Sequence, residues 1–280
     1  MKTTLSAGRL KGILIYAVLL LYAAWAGTAC SVKEDRSDCP CLLSIYPDPG
    51  IDPDKFKIFG NTFLIRDLQS GEKYAHGLLS FDTYSYTPQR AVTLRIPKSR
   101  VSLCSVFSSS GAADEFITIP DGCQADSVFV HLSAIDCTGE TAQDTLRLLK
   151  QWCSLYIHLD DSNRYSEGDV RLEGRWNGFE AATLTPSPGI FNFAPDTLSR
   201  NRFMIRLPRQ ADESLALEVR DPDSDYIKTY PLGEYIAKSR YDWKKHSLDD
   251  IIVYIDNSSV RIEVLTMEWN NGTDYGTVEF

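Results

Sequence analysis

From residue 41 onward, apolar and polar residues alternate in short runs separated by turn formers. "VTLRI" (92–96), "SVFVHL" (127–132), "SLYIHL" (154–159), "DVRLEG" (169–174), "RFMIRL" (202–207) and "SLALEV" (214–219) each set Val, Leu, Ile or Phe against Arg, Glu, Ser or His. Successive side chains of a strand point to opposite faces, so this period of two predicts half-buried antiparallel strands. "DIIVYI" (250–255) and "VRIEVLTMEW" (260–269) flank "DNSS", four turn-favouring residues, which predicts a hairpin. Strong helical periodicity is confined to "TAQDTLRLLKQW" (141–152), where Leu146, Leu149 and Trp152 fall near one helical face and Thr141 with Asp144 supplies a start signal. The expectation is an all-β chain built from sandwiches, with one short helical segment.

The N-terminus follows another pattern. Lys2, Arg9 and Lys11 precede the apolar run "GILIYAVLLLYAAWAG" (12–27), which ends in small residues before Cys30. A membrane-spanning helix needs about 20 predominantly apolar residues, and this run stops short, so residues 1–29 read as a secretory signal. Gly27, Thr28 and Ala29 before the cysteine resemble the lipobox of bacterial lipoproteins, although Gly27 stands where Leu or another aliphatic residue is usual. Cleavage before Cys30 would free its amine and thiol for lipidation. Each buried CH₂ contributes about 0.8 kcal/mol, so several acyl chains hold where one is marginal. Residues 30–40, with the charged stretch "SVKEDRSD" (31–38), then form a lipidated tether too polar to pack.

Removing residues 1–29 takes three basic groups and no acidic ones, leaving 26 basic against 38 acidic and a net charge of −12. Nucleic acid is excluded as a partner, because binding a polyanion needs clustered Lys and Arg to displace counterions. The 251 residues that remain suit two domains. The polar stretch within 138–154 marks the boundary and divides 41–147 from 148–280. With Cys30 lipidated, Cys39, Cys41, Cys104, Cys123, Cys137 and Cys153 remain as possible disulfide partners, with fifteen connectivities open. "CPC" (39–41) lacks the second pair or the spaced histidines that structural zinc needs.

Candidate chemistry is sparse. The chain has no G-x-S-x-G elbow, H-E-x-x-H helix, phosphate loop or dinucleotide fingerprint, so no catalytic residue, metal or cofactor is expected. His76, His131, His158 and His246 are far apart in sequence, and His131 and His158 occupy polar-face positions of strands. Asp160 with Asp161, Asp249 with Asp250, and "DPDSD" (221–225) fall at strand ends, where Asp satisfies turn backbone. The last lacks the glycine and distal Glu of a calcium loop. Trp176, Trp243 and Trp269 offer stacking faces for sugar rings, but alternating positions and frequent Tyr and Phe in sheets make core or cross-strand packing the better reading.

The signal ending in Cys30, the run "SVKEDRSDCPCLLSIY" and the closing segment "YDWKKHSLDDIIVYIDNSSVRIEVLTMEW" (241–269) together resemble the FimB/Mfa2 family of fimbrial anchor lipoproteins. The resemblance covers the two ends, while the middle agrees in β-rich character. It implies two tandem transthyretin-like β-sandwich domains. It also implies a role in tethering a fimbria to the bacterial outer membrane and limiting its growth, with fimbrial subunits as partners and no catalytic residues. Lys33, Glu34 and Asp35 resemble the acidic surface-export signal that follows the lipidated cysteine in related bacteria. The partner surface is expected at the C-terminal end, at Val278 and Phe280. The competing expectation is a surface lipoprotein that binds glycans through exposed aromatics.

Overall fold

The computed structural model describes residues 39–48, 60–77, 79, 91–108, 115–160, 165, 169–199, 201–221, 223–256, 260–267 and 273–279. Among them are nineteen strands and one helix, an all-β sandwich architecture.

The first sandwich faces a three-stranded sheet against a five-stranded one. In the smaller sheet β1 (Cys41–Pro47) lies between β4 (Val92–Ile96), antiparallel, and β8 (Thr141–Leu146), parallel. The larger runs β3-β2-β5-β7-β9 from β3 (Lys73–Gly77), β2 (Gly60–Asp67), β5 (Arg100–Ser108), β7 (Val128–Asp136) and β9 (Leu149–Lys150). Alternation places Cys41, Leu43 and Ile45 of β1 inward, against Ile65, Val101, Leu103, Phe107 and Ile135.

The second sandwich has a six-stranded sheet ordered β13-β14-β10-β17-β18-β19. Its strands are β13 (Asp196–Ser199), β14 (Arg202–Leu207), β10 (Cys153–Leu159), β17 (Asp250–Ile255), β18 (Val260–Met267) and β19 (Thr273–Glu279). Facing it are β12 (Pro186–Phe193), β11 (Val170–Glu180), β15 (Ala216–Arg220) and β16 (Ile227–Tyr230). Leu155, Ile157, Phe203, Ile205, Ile251 and Val253 meet Val170, Leu172, Phe191 and Leu217 in its core. At such positions a Leu or Ile cut to Ala costs about 2–5 kcal/mol.

The two sandwiches share strands and side chains. β6 (Phe116–Thr118), which precedes β7 in the chain, pairs with β11 of the second sandwich. Gly178 makes this possible, since a Cβ there would lie 2.1 Å from the Ile117 carbonyl oxygen. A third apolar cluster, Cys104, Val106, Val128 and Val130 with Phe179 and Ala181, covers the outer face of the β5–β7 pair. Residues 40–280 accordingly form one compact unit.

The strand runs match the expectation closely: β4, β14 and β17 coincide with "VTLRI", "RFMIRL" and "DIIVYI", and β17 pairs with β18 from Ile255↔Val260 onward as a hairpin. The helix expected over 141–152 is absent. Thr141–Leu146 is a strand in which Ala142, Asp144 and Leu146 turn inward while Thr141, Gln143 and Thr145 are exposed. Period two won because β1 offers six parallel partners, from Leu42↔Thr141 to Pro47↔Leu146, and β-branched Thr fits a pleated surface. Trp152, which had completed the helical face, instead lies past β9 and packs on both main cores, edge-on to Phe129 at 5.0 Å. The helix found is α1, Leu232–Lys238, which buries Leu232 and Ile236 in the second core and carries Glu234 in its first turn and Lys238 in its last. That charge order suits the helix dipole.

Candidate partner-binding edge

The expected partner segment is the last strand of the six-stranded sheet. β19 pairs with β18 through seven consecutive residues, Arg261↔Glu279 to Met267↔Thr273, with Val278 opposite Ile262. Its other side has no strand partner among the described residues. Phe280, Trp269, Cys30, Lys33, Glu34 and Asp35 lie outside the described residues.

Free strand edges invite pairing with another chain, and proteins blunt them by shortening, bulges or proline. The opposite edge of the same sheet, β13, is four residues long with a register shift at Thr197/Ser199. In the facing sheet β12 carries Pro186 and Pro188 and two register shifts against β11, and β16 has four residues. β19 is longer than either short edge, contains no proline and keeps an unbroken register. Within the second sandwich it is therefore the edge best formed to receive a strand.

Behind that edge the sheet is fixed by buried polar groups. Lys150 of β9 forms an ion pair with Asp250, the first residue of β17, and the same carboxylate oxygen accepts the Ser154 backbone N–H at 2.6 Å. Both side chains are buried, at 10% and 2% exposed. Nearby Arg209 is 1% exposed. Its guanidinium donates to Gln151 Oε1 from Nε (2.9 Å) and Nη2 (2.6 Å), to the Trp243 carbonyl (2.6 Å), and to the carbonyls of Lys245 (2.7 Å) and His246 (3.0 Å). Burial pulls its pKa down to about 10, against the raising influence of Tyr241 and Asp242. Gln151 also donates to the Leu149 and His246 carbonyls, both at 2.8 Å. The residues that leave the first sandwich are thus bolted to the loop that enters β17. No motif signalled this knot, whose partners lie up to 100 residues apart.

His131, expected on a polar face, faces inward beside Phe129 and is 3% exposed. Its Nδ1 accepts the Arg147 backbone N–H at 3.0 Å and its Nε2 lies 2.8 Å from Asp144 Oδ2. With Nδ1 used as an acceptor, Nε2 carries the proton and donates it to the carboxylate. No ring nitrogen is left to activate a nucleophile, so the pair is an inter-sheet clamp between β7 and β8. Burial pushes the Asp144 carboxyl up, but bonds from His131, Ser133 and the Thr145 N–H outweigh it and hold the carboxyl below its ordinary value.

The other sequence candidates settle into structural roles. Asp221 accepts from the Asp223 N–H (2.9 Å) and the Ser224 hydroxyl (2.7 Å), closing the β15–β16 turn in which Asp225 takes a positive φ of 56°. Asp249 accepts from Lys245 at 2.5 Å, and the Asp160 N–H donates to Ile255 at 2.8 Å. His158 packs edge-on to Tyr254 at 4.8 Å, while His76 and His246 are exposed. Trp243 packs on the second core and edge-on to Tyr241 at 4.6 Å, and Trp176 is half-buried in β11. The six cysteines described carry no disulfide: Cys39 and Cys123 are exposed, and Cys41, Cys104, Cys137 and Cys153 are buried. Burial first, then the nearby Glu115 and Glu180, push the Cys104 thiol up to about 12. Among the described residues no helix is long and apolar enough to cross a membrane.

No family model matches the sequence, and no curated protein matches it. Solved structures do. The fimbrial anchor protein Mfa2 from Porphyromonas gingivalis superposes with a TM-score of 0.58 at 8% identity, over 84% of this chain and 99% of that one. The fold is that of Mfa2. A candidate polysaccharide-binding protein from Bacteroides thetaiotaomicron gives 0.56 at 11% identity, over 83% of this chain and all of that one. A candidate adhesin from the same organism gives 0.55 at 12%, over 80% and 96%. The Mfa2 fold thus extends across nearly the full length of each neighbour, in keeping with the FimB/Mfa2 resemblance of the sequence ends.

Proposed function

We propose that this chain is a lipid-anchored outer-membrane protein that fastens a fimbria to the bacterial surface and limits its length, without catalysis. The observation that carries the reading is the Mfa2 fold, present over 99% of the anchor protein's own chain. In this reading Cys30 holds the acyl chains and Lys33, Glu34 and Asp35 direct the protein outward. The two sandwiches bear load between membrane and filament. A filament base must resist pulling and must bind a subunit. Two sandwiches bolted through Lys150–Asp250 and Arg209 meet the first need. The second is met at β19, where an added strand gains main-chain hydrogen bonds and its alternate side chains select the partner. Deleting the gene should release fimbriae into the medium or change their length while the major subunit is still made. Fimbriae of normal length that stay attached would reject the anchor role.

A glycan-binding surface lipoprotein is the second reading, favoured by the fold shared with the candidate polysaccharide-binding protein and by a groove of about 630 Å³ lined by Trp243, Asp212, Glu213, Lys244 and His246. Its test is saturable binding to a glycan array that is lost in Trp243→Ala.

A further inference from the structure

Cys41 and Cys137 are both 0% exposed and belong to one core. Backbone bonds on two sides bring them together. Cys41 opens β1 opposite Ile96, and three residues beyond Ile96 the Ser99 carbonyl accepts the Cys137 N–H at 2.9 Å. On the other side the Leu42 N–H donates to Glu140, again three residues from Cys137, at 2.9 Å. Both side chains therefore enter the same part of the first core. Cys104 and Cys153 sit elsewhere, in the third cluster and the second core.

We propose that Cys41 and Cys137 form a disulfide in the exported protein, linking the start of β1 to the end of β7 and so stapling the two sheets of the first sandwich. Two S–H bonds break and one S–S bond forms. The two electrons and two protons pass to the disulfide of a thiol–disulfide oxidoreductase, which leaves as its dithiol. Burial, then the neighbouring Cys41, push the Cys137 thiol up to about 12. Exchange through the thiolate is therefore slow in the folded chain, so the bond closes during folding and afterwards resists reductant. Its mechanical value rests on the anchor reading: a pull on the tether meets β1 first, and a covalent bond at its first core residue keeps that strand from being sheared out.

The test uses full-length Cys39→Ser chain isolated from its own cells, alkylated without reduction and cleaved before aspartates. Cleavage releases residues 38–47 and 136–143, which then hold one cysteine each. The expected product is one linked species, two mass units below the sum of the separate peptides. Both peptides alkylated, or Cys41 linked to any other cysteine, overturns the proposal. Closing a loop of about 100 residues should also make the folded chain melt roughly 10 °C lower after reduction under denaturant and refolding. A Cys41→Ala/Cys137→Ala chain should show no response to that treatment. An unchanged melting point in the parent overturns the proposal too. Neither arm reads fimbriae, so the bond can fail while the anchor reading stands.

Discussion

Replacing Asp250 with Ala removes the carboxylate paired with buried Lys150. The ammonium is left 10% exposed beside the Trp152 ring at 5.2 Å, and the Ser154 N–H loses its acceptor. Breaking a buried pair from one side costs about 3–5 kcal/mol, because the remaining charge is still out of water. With a urea m-value of about 2–3 kcal/mol/M, the unfolding midpoint should fall by roughly 1.5 M. Tryptophan fluorescence is the assay, since Trp152 lies beside the pair. Removing both charges, as Lys150→Met/Asp250→Leu, leaves no buried ion. That chain should recover most of the loss, because apolar replacement of a buried pair is often neutral or stabilising. A single mutant that costs under about 1 kcal/mol, or a double mutant that loses the sum of the two singles, would refute the reasoning.

Three further outcomes are expected, the last of them from the sequence. Asp67, Asp136, Asp144 and Asp212 are all held below the ordinary carboxylate value of 3.8, by turn and hydroxyl hydrogen bonds and, for Asp144, by His131 against the cost of burial. The folded state thus binds fewer protons than the unfolded one; their contribution is complete above the ordinary value and is lost as pH falls through and below it. Thermal melts should drop between pH 4 and pH 2, and a melting point that rises on acidification would contradict this. Removing residues 273–280 should leave a folded, lipidated chain that no longer co-purifies with fimbrial subunits, whereas pull-down at the parent yield would move the docking surface elsewhere. Replacing Lys33, Glu34 and Asp35 with Ala should keep lipidation and reduce cleavage by protease added to whole cells; unchanged cleavage would remove the export role.

The sequence was most legible where one face of a strand is covered and the other is not. There the alternation in β4, β14 and β17 marks the element to its last residue. It misled where both faces are covered. His131 lies on β7, which is packed by the first core on one side and the third cluster on the other, so alternation no longer separates inside from outside. β11 outran "DVRLEG" because register shifts at Gly174/Trp176 and Trp176/Gly178 break the period while pairing continues. The seven residues of α1 hold one buried i,i+4 pair, Leu232 and Ile236, too little for a periodic signal. The Lys150–Asp250 bolt and the meeting of Cys41 with Cys137 are products of topology, since nothing local to either residue marks its partner.

In the anchor reading, lipid at Cys30 and a fimbria elsewhere on the same chain are mechanically connected. The direct measurement is the fraction of fimbriae found in the medium when Cys30→Ser replaces the parent chain in its own cells, with the variant located by antibody on the released filaments. Most fimbriae should be shed, with the variant bound at one end and no fatty acid incorporated. Fimbriae that remain on cells carrying an unlipidated chain, or labelled palmitate still entering the variant, would contradict it.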